Sequence, residues 1–192
     1  MSLSLSGQRP LGAYAADAPV VALALRAQLA GNRLRVREAA AVRFGGEGQP
    51  ECYESGAEGV AAFVGGAPVI GHGVGPAFAV LEDPGANLPT TVWDVGELAA
   101  YVAPEEAAPS LSGLCAALGV AAPGAGGLAG QAEMVRLAYL ELVKRAKGMR
   151  GATLRRLAAF LAQGQSPLSA LLTALADAHA EQGGPVLGVD QD

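Results

Sequence analysis

Residues 19–44 read PVVALALRAQLAGNRLRVREAAAVRF, and the folding of this stretch decides the class of the whole chain. Its opening, Pro19 to Leu25, is a short apolar run of the kind that fills a buried central strand. Ala30-Gly31-Asn32-Arg33 is a turn signal. Leu34 to Phe44 partly alternates, with Leu34, Val36 and Glu38 on one side and Arg33, Arg35 and Arg37 on the other. Such alternation suits a strand with one exposed face, although the alanine run from Ala39 to Ala41 is compatible with helix as well.

The chain to the C-terminal side continues the pattern. GGEGQPE, residues 45–51, reads as a hairpin connection, and Cys52-Tyr53 lies in a third, short strand. Ser55 is placed to cap a helix over Ala57 to Val64, with Glu58 three residues on as in a capping box. Gly65-Gly66 stops that helix, and Ala67 to Gly71 is a short buried strand. Gly75 to Glu82 reads as a helix ending before Pro84-Gly85, and Thr91 to Trp93 as another strand. Asp94 caps a helix to Val102, and Ser110 starts one through Leu118. After the Gly/Ala loop Ala121 to Gly127 comes a long helix, Ala129 to Lys147, broken by Gly148 to Gly151. Two amphipathic helices, Thr153 to Ala162 and Pro167 to Ala180, follow. The order predicts an α/β fold: a five-stranded mixed sheet, three strands antiparallel and the rest parallel, flanked by helices with extra C-terminal helices. The expected organisation is a flexible lead-in over 1–16, a main domain over 17–148, a helical extension over 149–182 and a tail over 183–192.

Composition narrows the function classes. Hydrophobic residues make up 51% of the chain but aromatics only 5%, so the core must be built from Leu, Val and Ala. No apolar stretch approaches the ~20 residues a bilayer requires, and the N-terminus lacks a secretory pattern. Cys52 and Cys115 form no metal-spacing motif, and a reducing cytoplasm is the simplest setting for them. The net charge of −5 argues against indiscriminate nucleic-acid binding. Every Lys and Arg lies between Arg9 and Arg43 or between Arg136 and Arg156, and from Gly45 to Met134 the only charges are acidic. If the two basic segments meet, they form one basic region on an acidic body; otherwise they are scattered solvated charge.

The stretch Val64 to Val120 resembles the middle of a DnaQ-like 3′-to-5′ exonuclease of the RNase H-like class, in the branch with a histidine in its third motif. The residues that carry the resemblance are Gly71-His72, Trp93-Asp94, Leu98-Ala99, Pro104 and Ser110-Leu111-x-x-Leu114, in the family's order. Residues 19–44 resemble the first motif and its following strand, and the helix through Lys147 the third-motif helix. Ala152 to Leu175 is similar to the linker after the exonuclease domain in DinG-type helicases, although no Walker motif is present. The resemblance implies a scaffold that hydrolyses phosphodiesters with two Mg²⁺ or Mn²⁺ ions held by carboxylates.

On the resemblance, those carboxylates are replaced. The Asp-x-Glu of the first strand falls on Ala24 and Arg26, and the second-motif Phe-Asp on Pro76 and Ala77. In the third motif the histidine falls near Gly126 and the aspartate near Gln131. Alanine and glycine offer no ligand, glutamine offers a neutral oxygen, and a guanidinium repels a divalent cation. The expected cofactor is therefore none, and the expected role is a pseudo-nuclease that binds single-stranded nucleic acid or a replication or repair protein. Relocated ligands on Asp94, Glu97 and Glu133, or a purely protein-binding module, are the alternatives. The candidate binding residues are Arg26, His72, Arg136, Lys144, Arg145 and Lys147. Each has a bland counterpart: Arg26 paired with an acid such as Glu133, His72 as a structural histidine, Asp94 as a helix cap, and the basic helix end as a complement to the helix dipole. Arg26 and Arg136 are expected within reach of each other, and Arg150, Arg155 and Arg156 extend the basic stretch.

Overall fold

The computed structural model describes residues 19–46, 48–81, 88, 92–121, 123–124 and 126–181. The predicted lead-in over 1–16, the tail over 183–192, Glu82, Pro84-Gly85 and Thr91 lie outside these residues. The chain divides into two compact units, one over 19–148 and a second that includes 149–181.

In the first unit, β1 (Val20–Ala30) and β2 (Arg33–Phe44) form a long antiparallel hairpin, from Val20 opposite Phe44 to Ala30 opposite Arg33. β3 (Glu51–Gly56) adds antiparallel to β2. β4 (Val69–Gly71) pairs parallel with β1, and β5 (Val92–Asp94) parallel with β4. The order β3-β2-β1-β4-β5 is the five-stranded mixed sheet the sequence predicts, with the apolar run of β1 at its centre.

Side chains on one face of the sheet, Val21, Leu23, Ala39, Ala41 and Val69, pack with Val60 and Val64 of α1 (Val60–Val64) and Phe78 of α2 (Gly75–Phe78). The other face belongs to α5 (Gly127–Lys147), with α3 (Val95–Val102) and α4 (Leu111–Ala117) beside it. Tyr139 of α5 stacks on Trp93 of β5 at 6.3 Å between ring centroids and meets Phe44 of β2 edge-on at 5.8 Å. The buried residues Leu128, Ala132, Val135, Ala138, Tyr139, Leu142 and Ala146 recur every three or four positions, so they form one stripe along α5. In the second unit, α6 (Gly151–Gln163) and α7 (Leu168–Glu181) pack on each other through a turn in which Gln165 takes φ +57°.

Several local expectations are corrected. β1 runs on to Ala30, five residues past the apolar run, because its ladder with β2 satisfies the backbone where burial no longer does. A bulge between Arg26 and Ala27 leaves Arg37 as the extra residue, with Arg26 opposite Glu38 and Ala27 opposite Val36. Glu38 is thereby moved off the side of Leu34 and Val36 onto the side of Arg26. Ser55 caps nothing: it sits in β3, and α1 starts at Val60 behind a left-handed Gly59 with no side-chain cap. α2 is one turn, ending at Phe78. The Asp94 and Ser110 caps are present as predicted.

Candidate functional site

Ala24 and Arg26, the positions that the resemblance singles out first, lie in the central strand. Ala24 is 4% exposed, on the face of the sheet covered by α5, and its neighbour across the ladder is Ala40, fully buried. Small residues in this row let a helix approach the sheet closely, and the buried Gly130 and Ala132 of α5 do the same from the other side. Arg26, two residues on and therefore on the same face, is exposed, and its Nη1 donates to Glu38 Oε2 at 2.6 Å.

Arg26 is thus paired with an acid, as its bland counterpart expects, but the acid is Glu38 and not Glu133. Glu133 accepts from Arg136 at both oxygens, Nε at 2.7 Å and Nη2 at 2.5 Å, which raises the Arg136 pKa. Arg136 also lies 6.0 Å from the ring centre of Phe44, and Phe44 is the ladder partner of Val20. Val20 is six residues, roughly 20 Å, from Arg26 along β1. The two arginines thus belong to separate clusters, each with its own carboxylate.

The other positions that the resemblance points to offer no better footing. Ala77 is half-buried in the single turn of α2, Gly126 is exposed at the start of α5, and Gln131 is exposed on its second turn. Among the described residues no group of three or more His, Cys, Asp or Glu side chains is placed to hold a metal ion. A pair of Mg²⁺ ions requires several anionic oxygens, and a methyl group, a paired guanidinium and an outward-facing amide do not fit it.

Gly71-His72-Gly73 and Asp94 form a compact structural knot. Asp94 Oδ1 accepts from the backbone N–H of Gly96 at 2.8 Å and of Glu97 at 3.1 Å, capping α3. Its Oδ2 accepts from Gly73 N–H at 2.6 Å, tying the loop after β4 to that helix. A Cβ on Gly71 would stand 2.1 Å from Val74 Cγ2, and Gly73 takes φ +66°, so both glycines are required by shape. The half-buried His72 ring lies against Gly96, where a Cβ would meet Nε2 at 3.6 Å.

The basic end of α5 is largely neutralised. Lys144 Nζ donates to Glu141 Oε2 at 3.2 Å, Arg145 Nε donates to Glu141 Oε1 at 3.3 Å, and Arg145 Nη1 bonds Glu106. The hydrogen bond from Lys144, aided by Arg145, holds the Glu141 carboxyl below its ordinary pKa. Lys147 is exposed in the last turn, where its charge complements the helix dipole. In the second unit Arg155 stands 3.9 Å from Asp177. On the sheet face opposite α5 lies an open cleft of about 1010 Å³, lined by residues including Leu34, Val36, Ala61 and Val80.

No family model matches the sequence, and no curated protein matches it either, so neither comparison places the chain in a family.

Proposed function

We propose that residues 19–148 form a non-catalytic relative of the DnaQ-like exonucleases, which binds nucleic acid or a protein of DNA replication or repair rather than cutting a phosphodiester. The reading is carried by one observation: the first-motif pair is a solvent-excluded methyl at Ala24 and a guanidinium at Arg26 already engaged by Glu38. The sheet order, with the hairpin strand β1 at the centre and parallel strands to one side, is compatible with an RNase H-like scaffold. The rival active centre on Asp94, Glu97 and Glu133 is disfavoured. Asp94 spends both oxygens on backbone donors, and Glu133 spends both on Arg136. The two cysteines are unpaired, which fits a reducing compartment such as the cytoplasm. Among the described residues no helix is long and apolar enough to cross a membrane. The helical pair from 151 to 181 would, on its likeness to a DinG-type linker, join this module to a helicase-like partner.

The test is incubation of the full chain with labelled single-stranded DNA and RNA in Mg²⁺ or Mn²⁺. Intact oligonucleotides are expected. Turnover that disappears with EDTA overturns the reading.

A further inference from the structure

Beyond the body of the sheet, the β1–β2 hairpin continues as a two-stranded ribbon, since β3 pairs with β2 only from Glu38 to Arg43 and β4 pairs with β1 only at Val21 and Ala22. Gly31, at φ +63°, supplies the conformation that the first position of a type II′ turn requires and keeps the ribbon in register to its tip. The two faces of this ribbon differ in kind. Ala27, Leu29, Leu34 and Val36 share one face as cross-strand partners. On the other, Arg26 is opposite Glu38, Gln28 opposite Arg35, and Ala30 opposite Arg33. The bulged Arg37 joins them: with the Gln28 amide oxygen turned to it, its Nε donates at 2.6 Å and its Nη2 at 2.7 Å.

Four of the chain's 13 basic residues therefore stand together here with a single carboxylate. Glu38 pairs with Arg26, and Gln28, which holds Arg37, is neutral. Arg33 and Arg35 are exposed and take part in no ion pair among the described residues. About three uncompensated positive charges thus remain on a patch roughly 13 Å long, on a chain whose net charge is −5. Arg33 and Arg35 are separated by about 6.7 Å along the strand. That is similar to the separation of neighbouring phosphates on a nucleic-acid strand, and each planar guanidinium can bond a phosphate at two points.

We infer that this arginine face docks on the phosphate backbone of double-helical nucleic acid without reading its bases. The inference gives a place to the binding-module reading and rests on it only in taking the chain to bind rather than to cut. Charge complementarity selects the partner. The face carries no aromatic ring on which unstacked bases could lie, so nothing favours a single strand, and the duplex offers the denser row of charge.

The experiment is fluorescence anisotropy of the full chain with a labelled 24-base-pair duplex, a second duplex of unrelated sequence and one separated strand, without divalent metal. Both duplexes are expected to bind equally and more tightly than the single strand. For three phosphate contacts, affinity should fall roughly 40-fold between 50 and 200 mM salt. Arg33→Glu/Arg35→Glu, and the milder Arg33→Gln/Arg35→Gln, should each weaken binding by roughly tenfold or more and flatten the salt dependence, with unchanged circular dichroism. Lys144→Gln should change neither. Wild-type affinity in both arginine variants overturns the inference while leaving the binding module standing. So does tighter binding of the single strand. Absence of duplex binding at 50 mM salt overturns it as well, and binding of polyglutamate instead would assign the face to an acidic protein. Cleavage on adding Mg²⁺ would overturn the non-catalytic reading and leave the arginine dependence to be judged by itself.

Discussion

Asp94→Ala separates a structural carboxylate from a catalytic one. In the structure this side chain accepts three backbone hydrogen bonds, two from the first turn of α3 and one from Gly73. Loss of an N-cap costs about 1 kcal/mol. Loss of a charged acceptor for Gly73 N–H adds about 1 kcal/mol more, at the low end for charge-assisted bonds because Gly73 is exposed and water can replace the carboxylate. The expected destabilisation is therefore about 2 kcal/mol, which at an m-value of about 2 kcal/mol/M moves the urea midpoint down by about 1 M. Trp93 is the chain's single tryptophan, 4% exposed and stacked on Tyr139, so its fluorescence reports unfolding of the 19–148 unit. Asp94→Ser can cap α3 but is too short to bridge to Gly73, and should recover about half of the loss. All measurements are made in EDTA. A metal-ligand carboxylate freed of its ion would leave Asp94→Ala neutral or stabilising. A midpoint within 0.2 M of wild type would therefore refute the capping argument.

Three further outcomes follow from the same structure. Ala24→Asp places a carboxylate in the central strand, buried beside Ala40, and should cost about 3 kcal/mol at pH 7. Burial raises the folded-state pKa of the introduced group, so the penalty grows as pH rises above the unfolded value near ~3.9 and shrinks below it, measurable by urea titrations at pH 3.5 and 7. Of the two thiols, exposed Cys52 should react at once with Ellman's reagent; Cys115, buried and with its pKa raised by that burial, should react only after unfolding. For Glu141, whose folded pKa is depressed, the stabilisation is complete above the unfolded value of about 4.3 and lost as pH falls through the folded one. Glu141→Gln should therefore cost under about 1 kcal/mol at pH 7, with the difference from wild type vanishing in acid.

The legible parts of the fold were those in which local chemistry and burial agree. Val20 to Ala24 are all buried and read as a strand; Asp94 and Ser110 each precede an apolar helical repeat and each accept from its first turn. The missed parts were held by something no hydrophobic pattern records. Arg26 to Ala30 are strand because the hairpin partner Arg33 to Glu38 pairs with them, and Ser55 was drawn into β3 by pairing with Ala39. At the candidate site, two-residue spacing on a strand is enough for the sequence to put Ala24 and Arg26 on one face. It could not place Glu38 on the same face, because a one-residue bulge reverses the alternation on which that reading rested.

The basic residues show why counting charge along a chain misleads about surfaces. On a helix, positions three and four apart are neighbours, so an arginine downstream of a glutamate is matched by its own element. Arg136 meets Glu133 in this way, and Lys144 and Arg145 both meet Glu141. Two of the three cations in the last turn of α5, Lys144 and Arg145, are thereby matched. On a strand the same-face neighbour is two residues away or across the ladder, and in Arg33-Leu34-Arg35 that neighbour is another arginine, Gln28 or Ala30. Charge is then left over by geometry. Arg26 links the two themes: on the same face as the buried Ala24, it falls, on the proposed reading, where a metal-gripping acid would stand, and it begins the row of arginines that runs to the hairpin tip. On the proposed reading, the residue that stands in place of a metal ligand thus also extends a surface suited to phosphate, which is the physical reason to expect binding to persist where cutting does not.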